Sequence, residues 1–428
     1  MQSCVNSALC LFDSPPVQTD IISSKIVDYH PITNIAGNDI PIHFEITGNP
    51  EEYIDCQSID LEIKVKITKP DGSKIDSTTD KVGLTNLAMA SLFQDVTLTL
   101  NDKQVEGGDH TYPYSAYLAT LSQFQWQAKK THLLTSGWLE DEEGKFDDDK
   151  NKGLVKRMEW SNNSREMYFK GPVYLDFFRQ SRYLLSQVNM RLKFVRAKSE
   201  FVLLTFGTDK YKVNITSAIL YVRKVLMNPK VINDHSHGLK SHNAIYPINH
   251  SELTSFTIPH GAMSHSRDRL FPICLPKALY ITLVDNEAFN GDFKKNPFNF
   301  QHFNLNKLAL YADGDYVVYK PFEPNFSNDD YIREYCSTFI SLNMFNTDDS
   351  NGITFNQYKG GYFYILYDMT PDSNLGSGNV NLTKPGNLRL ELSFATALPT
   401  TVNGLLYAIY DSKIEITQLR DVLASYQR

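Results

Sequence analysis

Between Leu61 and Thr68 the chain alternates with a strict period of two: Leu61, Ile63, Val65 and Ile67 on one side, Glu62, Lys64, Lys66 and Thr68 on the other. A strand with one dry and one wet face requires that placement, because successive side chains of extended backbone point to opposite faces. The same period recurs at Val96, Leu98 and Leu100, at Val188, Met190, Leu192 and Phe194, and at Leu388, Leu390, Leu392 and Phe394 with Arg389, Glu391 and Ser393 between them. Antiparallel sheets solvated on one face follow. Two further runs, residues 279–284 and 362–367, are apolar or aromatic at consecutive positions, which predicts strands covered on both faces by the fold or by a neighbouring subunit. Helical spacing is rare. It occurs at Leu84, Leu87, Ala88, Ser91 and Leu92 and at Tyr114, Tyr117, Leu118 and Leu121, each stretch about three turns long and set between strands. Crossover helices do not recur as a parallel sheet would need, so the predicted class is all-β with short helices in the loops.

At roughly 150 residues per domain, 428 residues predict two or three domains, and two large sandwiches fit. With 42% hydrophobic residues, 25 Phe and 24 Tyr against 21% charged residues, the chain can fill large cores and is not a disordered sequence. Residues 227–243 (MNPKVINDHSHGLKSHN) are polar, contain Pro229 and Gly238, and follow the strand-like LYVRKV, so the domain boundary is expected there. Each side then holds enough strands for one eight-stranded sandwich of two Greek keys. No letter-level repeat relates the two halves. A net charge of −7 argues against non-specific nucleic-acid binding as the main task, since neutralising phosphates takes a basic surface. Cys4, Cys10, Cys56, Cys274 and Cys336 are scattered, odd in number and without CxxC spacing, the pattern of reduced thiols in a cytosolic or nuclear protein. The apolar stretch at residues 5–12 is interrupted by Asn6 and Ser7, lacks a basic leader and is short, so neither a signal peptide nor a membrane span is expected.

Residues 11–72 carry a series of phrases in fixed order: SPPVQT, then YHPI, then PIHFEITG, then YID, then an alternating strand closing on DG. This series resembles the opening of the major capsid proteins of Polinton/Maverick (adintovirus-like) elements and their viral relatives. The resemblance continues in GPVYLDFFRQSRYLLSQVNMRLKFVRA (171–197), ITSAILYVRKVLMNP (215–229), NPFNFQHFNLNKLALYADG (296–314) and YFYILYDMTPD (362–372), and so spans almost the whole chain. It implies an N-terminal arm at residues 1–28, a first jelly-roll domain at 29–228 and a second at 229–428, a double jelly roll standing side by side. It implies no enzymatic activity, but a major capsid protein whose homotrimers form pseudo-hexameric capsomers of an icosahedral shell around double-stranded DNA. The implied partners are neighbouring capsomers, a single-jelly-roll penton protein, a maturation protease and a packaging ATPase, with no sequence-specific nucleic acid among them. The implied location is the virion, assembled in the nucleus or cytoplasm of a host cell. The alternative reading is a carbohydrate-binding β-sandwich module. Size separates the two, because such a module can be a monomer or dimer whereas the capsid reading demands a trimer.

Several segments invite chemical readings. Six of the 11 histidines, His235, His237, His242, His250, His260 and His265, fall within 31 positions and could ligate zinc or switch charge near pH 6.5. They lack the companion carboxylate or thiolate at fixed spacing that a metal site wants, so a soluble linker is the plainer expectation. The acidic run LEDEEGKFDDDK (139–150) does not match the EF-hand order and is expected to be a solvated, outward-facing loop dispensable for the fold. Cys274 lies between Pro272 and Pro276 in what reads as a strand entry and is a poor nucleophile candidate. No G-x-S-x-G, GxxxxGK[ST] or HExxH motif is present. Catalytic, cofactor-binding and metal residues are therefore assigned to none. The aromatic segments FNFQHF (298–303) and YKPFEPNF (319–326) are expected to suit contacts between subunits.

Overall fold

The computed structural model describes residues 17–424 apart from 36, 38, 39, 374, 376–379 and 383. Among the described residues ten strands lie in the first half: β1 (Ile21–Tyr29), β2 (Ile42–Ile46), β3 (Glu52–Thr68), β4 (Val82–Leu84), β5 (Phe93–Leu100), β6 (Lys103–Glu106), β7 (Met167–Pro172), β8 (Met190–Arg196), β9 (Leu203–Thr205) and β10 (Lys212–Met227). Nine follow: β11 (Ala244–Ile258), β12 (Ser264–Arg267), β13 (Ala278–Asp285), β14 (Leu305–Ala312), β15 (Asp315–Tyr316), β16 (Ile365–Asp368), β17 (Leu388–Phe394), β18 (Val402–Ile416) and β19 (Val422–Ala424).

The first half forms two four-stranded sheets, β1-β10-β3-β7 and β2-β8-β5-β6, and the second forms β11-β18-β13-β16, extended by β19 on β18, and β12-β17-β14-β15. Setting aside β4, β9 and β19, each half threads its strands in the order 1-8-3-6 in one sheet and 2-7-4-5 in the other. That threading is the jelly roll, two Greek keys folded into facing sheets. Every strand pairing among the described residues stays within one half. The two halves share this order although their letters do not repeat.

The alternating segments do what their period requires. Leu61, Ile63, Val65 and Ile67 are at most 2% exposed, and Leu388, Leu390, Leu392 and Phe394 are equally dry, while the residues between them face water. The continuous run in β13 is buried on both faces within a single chain, between β18 and β16 on its edges and the packed interior above and below. Residues 362–367 are likewise buried without any partner subunit.

Three expectations change. The arm expected at residues 1–28 is partly a strand, because β1 pairs with β10 from Ile21 to Tyr29. Main-chain hydrogen bonds along a sheet edge need no period-two burial, and IISSKIVDY is exposed at most positions, so its pattern hides it. Residues 1–16 of that arm lie outside the described residues. The helical spacing at 84–92 yields one turn only, Ala88–Ser91, since Val82–Leu84 pairs with β9 and Phe93 opens β5. The third change is the polar connector. Among the described residues four helices are longer than two turns: α1 (Tyr112–Gln123), α2 (Lys152–Trp160), α3 (Pro229–Gly238) and α4 (Ile332–Ser341). The connector is α3, begun by Pro229 and by Asn228, whose side chain accepts from the Lys230 amide. It buries no side chain, which is why no apolar stripe announces it. In both halves the longest insertion joins the fifth strand to the sixth: residues 107–166 carry α1 and α2, and residues 317–364 carry α4.

Candidate functional site

The first insertion packs on the second half, both on residues 289–298 and on the second insertion. The α1 ring of Tyr117 lies flat on Phe298, 4.2 Å between centroids and 5° from parallel, and touches Trp138 at 5.3 Å. One helical turn earlier, Tyr114 stacks on Phe289 at 5.4 Å. The aromatic segment 298–303 thus packs against the other half of its own chain. Phe298, Phe300, Phe322 and Phe326 are at most 3% exposed, which corrects the expectation that both aromatic segments serve contacts between subunits. Only Tyr319 among their large aromatics stands free in water, 82% exposed, with the Arg333 guanidinium 4.7 Å from its ring centre.

The acidic run is the second component of the joint, and here the expectation of a dispensable solvated loop is overturned. Arg157 of α2 is fully buried and reaches Asp141 Oδ1 at 2.5 Å, while its Nε donates to Leu84 O at 2.8 Å and its Nη1 to Leu139 O at 2.5 Å. Asp141 also accepts from Asn151 Nδ2 at 2.8 Å and, across the joint, from Asn296 Nδ2 at 3.2 Å. Its carbonyl takes the Tyr362 hydroxyl at 2.8 Å. Phe146 is 1% exposed and packs on Tyr362 and on Gly361. Gly361 has φ 123°, and a Cβ there would stand 2.3 Å from the Phe146 ring, so only glycine fits. Asp147 accepts from the Asn296 amide at 2.5 Å and from Asn299 Nδ2 at 2.9 Å, and the Gly144 amide donates to Gly360 O at 2.7 Å. Glu140 is half-buried, and loss of water raises its carboxyl above the usual range; towards the surface Glu142 pairs with Lys145 at 2.6 Å and Asp149 with Lys81 at 3.0 Å.

A buried lysine completes this end. Lys129 Nζ donates to Leu121 O at 2.8 Å and, across the joint, to Asn351 O at 2.6 Å. Loss of water lowers its pKa to about 8. Further along the seam, Asp176 Oδ2 accepts from both the amide and the hydroxyl of Ser251, at 2.6 and 2.7 Å, and the Tyr246 hydroxyl accepts from the Leu185 amide at 3.1 Å. Glu106 holds the Asp176 and Phe177 amides at 2.6 and 3.2 Å; burial, with Asp176 adding like charge, pushes its carboxyl well above the usual range. The joint is therefore aromatic at its centre and hydrogen-bonded along its length, so the two sandwiches are held as one body.

The histidines do not gather. His235 and His237 ride on α3, His250 sits in β11, His265 in β12, and His242 and His260 lie between elements. Among the described residues, no group of three His, Cys, Asp or Glu side chains could hold a metal ion. His235 Nδ1 lies 2.9 Å from the Tyr53 hydroxyl, and His265 stacks on Phe256 at 5.1 Å, where burial, with Arg267 adding, lowers its pKa. Burial and then Glu252 raise the Cys274 thiol, the opposite of an activated nucleophile. Cys56, Cys274 and Cys336 are free thiols; Cys4 and Cys10 lie outside the described residues. Among the described residues no helix is long and apolar enough to cross a membrane.

A chain of the Sputnik virophage, solved by cryo-EM, superposes with a TM-score of 0.66 at 11% identity, covering 99% of this chain and 92% of that one. The PBCV-1 virus capsid matches with a TM-score of 0.60 at 12% identity, covering 97% and 100%. The mavirus major capsid protein matches with a TM-score of 0.54 at 14% identity, covering 99% and 96%. The chain has the double jelly-roll fold. By sequence it is 24% identical over 385 residues to the uncharacterized protein F54H12.2 of Caenorhabditis elegans, covering 86% of this chain and 89% of that protein. No family model matches the chain.

Proposed function

We propose that this chain is the major capsid protein of a Polinton/Maverick-type element or related virus. One observation carries the reading: two sandwiches of identical strand order are locked into a single rigid body, and solved viral capsid chains of this fold match it from end to end. Three such chains in a closed ring present six similar corners, so a threefold assembly tiles like a hexagon. Capsomers of that outline close into an icosahedral shell around double-stranded DNA, with a penton protein at the fivefold vertices. A maturation protease and a packaging ATPase act alongside, and the site of action is the virion. We take residues 21–228, which include β1, and 229–428 as the two domains. Residues 1–20, ahead of β1, are the segment proposed to tie neighbouring capsomers together.

The test is the oligomeric state of the purified chain, read by light scattering and by electron microscopy. A stable trimer with a hexagonal outline is expected. A monomer at micromolar concentration and neutral pH overturns the reading.

A further inference from the structure

Where the two sandwiches meet beside the start of α1, a cleft of about 310 Å³ opens to the surface. Its aromatic wall is Phe289 of the second half, partly exposed, backed by Tyr114 and Phe201 of the first, which are 3% and 7% exposed. Its rim is polar: Gln94 and Asp109 from one half and, from the other, Asn290, whose Nδ2 donates to Asn286 O at 2.8 Å and leaves Oδ1 as an acceptor. Lys198 and His110 also line it and are exposed, His110 held at φ 56° two residues after the paired turn glycines Gly107 and Gly108. A left-handed conformation costs a residue with a Cβ conformational energy, and such costs collect where a side chain must be presented. Tyr114 adds another cost. Its hydroxyl is buried and makes no hydrogen bond among the described residues, although buried hydroxyls are ordinarily satisfied.

We propose that this cleft binds a neutral hexopyranose, the terminal sugar of a glycan. A pyranose has one face of C–H bonds, which suits the Phe289 ring, and a belt of hydroxyls, which suits a Gln94 amide that donates and accepts and the accepting oxygens of Asn290 and Asp109. The volume is that of a small-ligand site, and a seam between domains is where such sites concentrate. The rim bears one carboxylate against Lys198, so it offers no excess of charge that would select an anion. Because each half supplies part of the aromatic wall and part of the rim, bound sugar also braces the joint. The site lies within one chain and does not rest on the capsid reading: a trimer without sugar binding and sugar binding without a trimer are both distinguishable results.

Saturation-transfer NMR on the full chain tests this with methyl β-D-galactopyranoside, methyl α-D-mannopyranoside and the methyl glycoside of N-acetylglucosamine. At least one is expected to receive saturation on the ring protons of a single face, with roughly millimolar affinity. Phe289→Ala and Asn290→Ala are each expected to weaken it at least about tenfold, with the far-ultraviolet circular dichroism unchanged. If Phe289→Ala does not fold, Gln94→Ala on the rim replaces it. Absence of transfer to all the glycosides overturns the proposal, as does transfer that the folded variants leave unaltered.

Discussion

Asp141 and Arg157 show what a buried ion pair does when its other bonds are satisfied. Each charge is dry, yet the carboxylate also meets two asparagine amides and the guanidinium two backbone carbonyls. Removing one partner strands the other charge without water. Arg157→Leu is expected to lower unfolding free energy by about 3–5 kcal/mol, read from denaturant melts, whereas replacing both partners by apolar residues costs less. Lys129 sets a pH dependence of opposite sign to that of a lysine held in a salt bridge. Its folded pKa of about 8 lies below the ordinary 10.5, so between those values the unfolded chain holds a proton that the folded chain has released. Stability from this group therefore rises as pH climbs from 8 towards 10.5. Comparing wild type with Lys129→Met from pH 7.5 to 10 checks this: the wild-type curve gains relative to the variant, and parallel curves contradict it.

At the scale of elements, the acidic segment is the instructive case. Counting seven carboxylates across residues 139–150 predicts a wet loop, and Glu143 and Asp148 are exposed as that count requires. What the count misses is that Asp141 finds Arg157 sixteen positions away and that Phe146 anchors on Tyr362 across the joint. Neither partner can be found by reading a run of neighbours. Replacing 139–150 with a Gly-Ser linker is now expected to expose the joint, seen as faster hydrogen exchange in α1 and loss of soluble protein; Phe146→Ala alone is expected to cost about 3–5 kcal/mol. The strands were legible wherever one face is dry, as in β3, β5, β8 and β17, because burial imposes the period of two. Where no face is dry the signal vanishes: β1 and α3 bury almost nothing, so a strand read as an arm and a helix read as a linker. The aromatic segments fail in the other direction. A proline-fixed run of Phe and Tyr looks the same whether its cover is a second subunit or the far half of its own chain. The cleft at the seam carried no signal beyond Gly107 and Gly108, since its walls come from five separate stretches of sequence.

At the scale of the whole molecule, identical threading on unrelated letters means that jelly-roll order is held by which strands lie next to one another, not by particular side chains. Deleting residues 1–20 leaves β1 and every described strand pairing in place. The truncated chain is expected to form trimers but to close shells poorly in an in-vitro assembly assay. Shells formed as readily as by the intact chain contradict that. The covalent link between the halves has a different status from the joint. It is a solvent-exposed helix that buries no side chain, while cohesion resides in Tyr117 on Phe298, Asp176 with Ser251 and the Asp141 cluster. A protease that nicks α3 should thus yield two bands on a denaturing gel from a particle that still migrates as one. By the same token, the halves made as separate polypeptides should find each other in the cell, which would turn one gene into a two-piece kit whose parts can be labelled or exchanged independently.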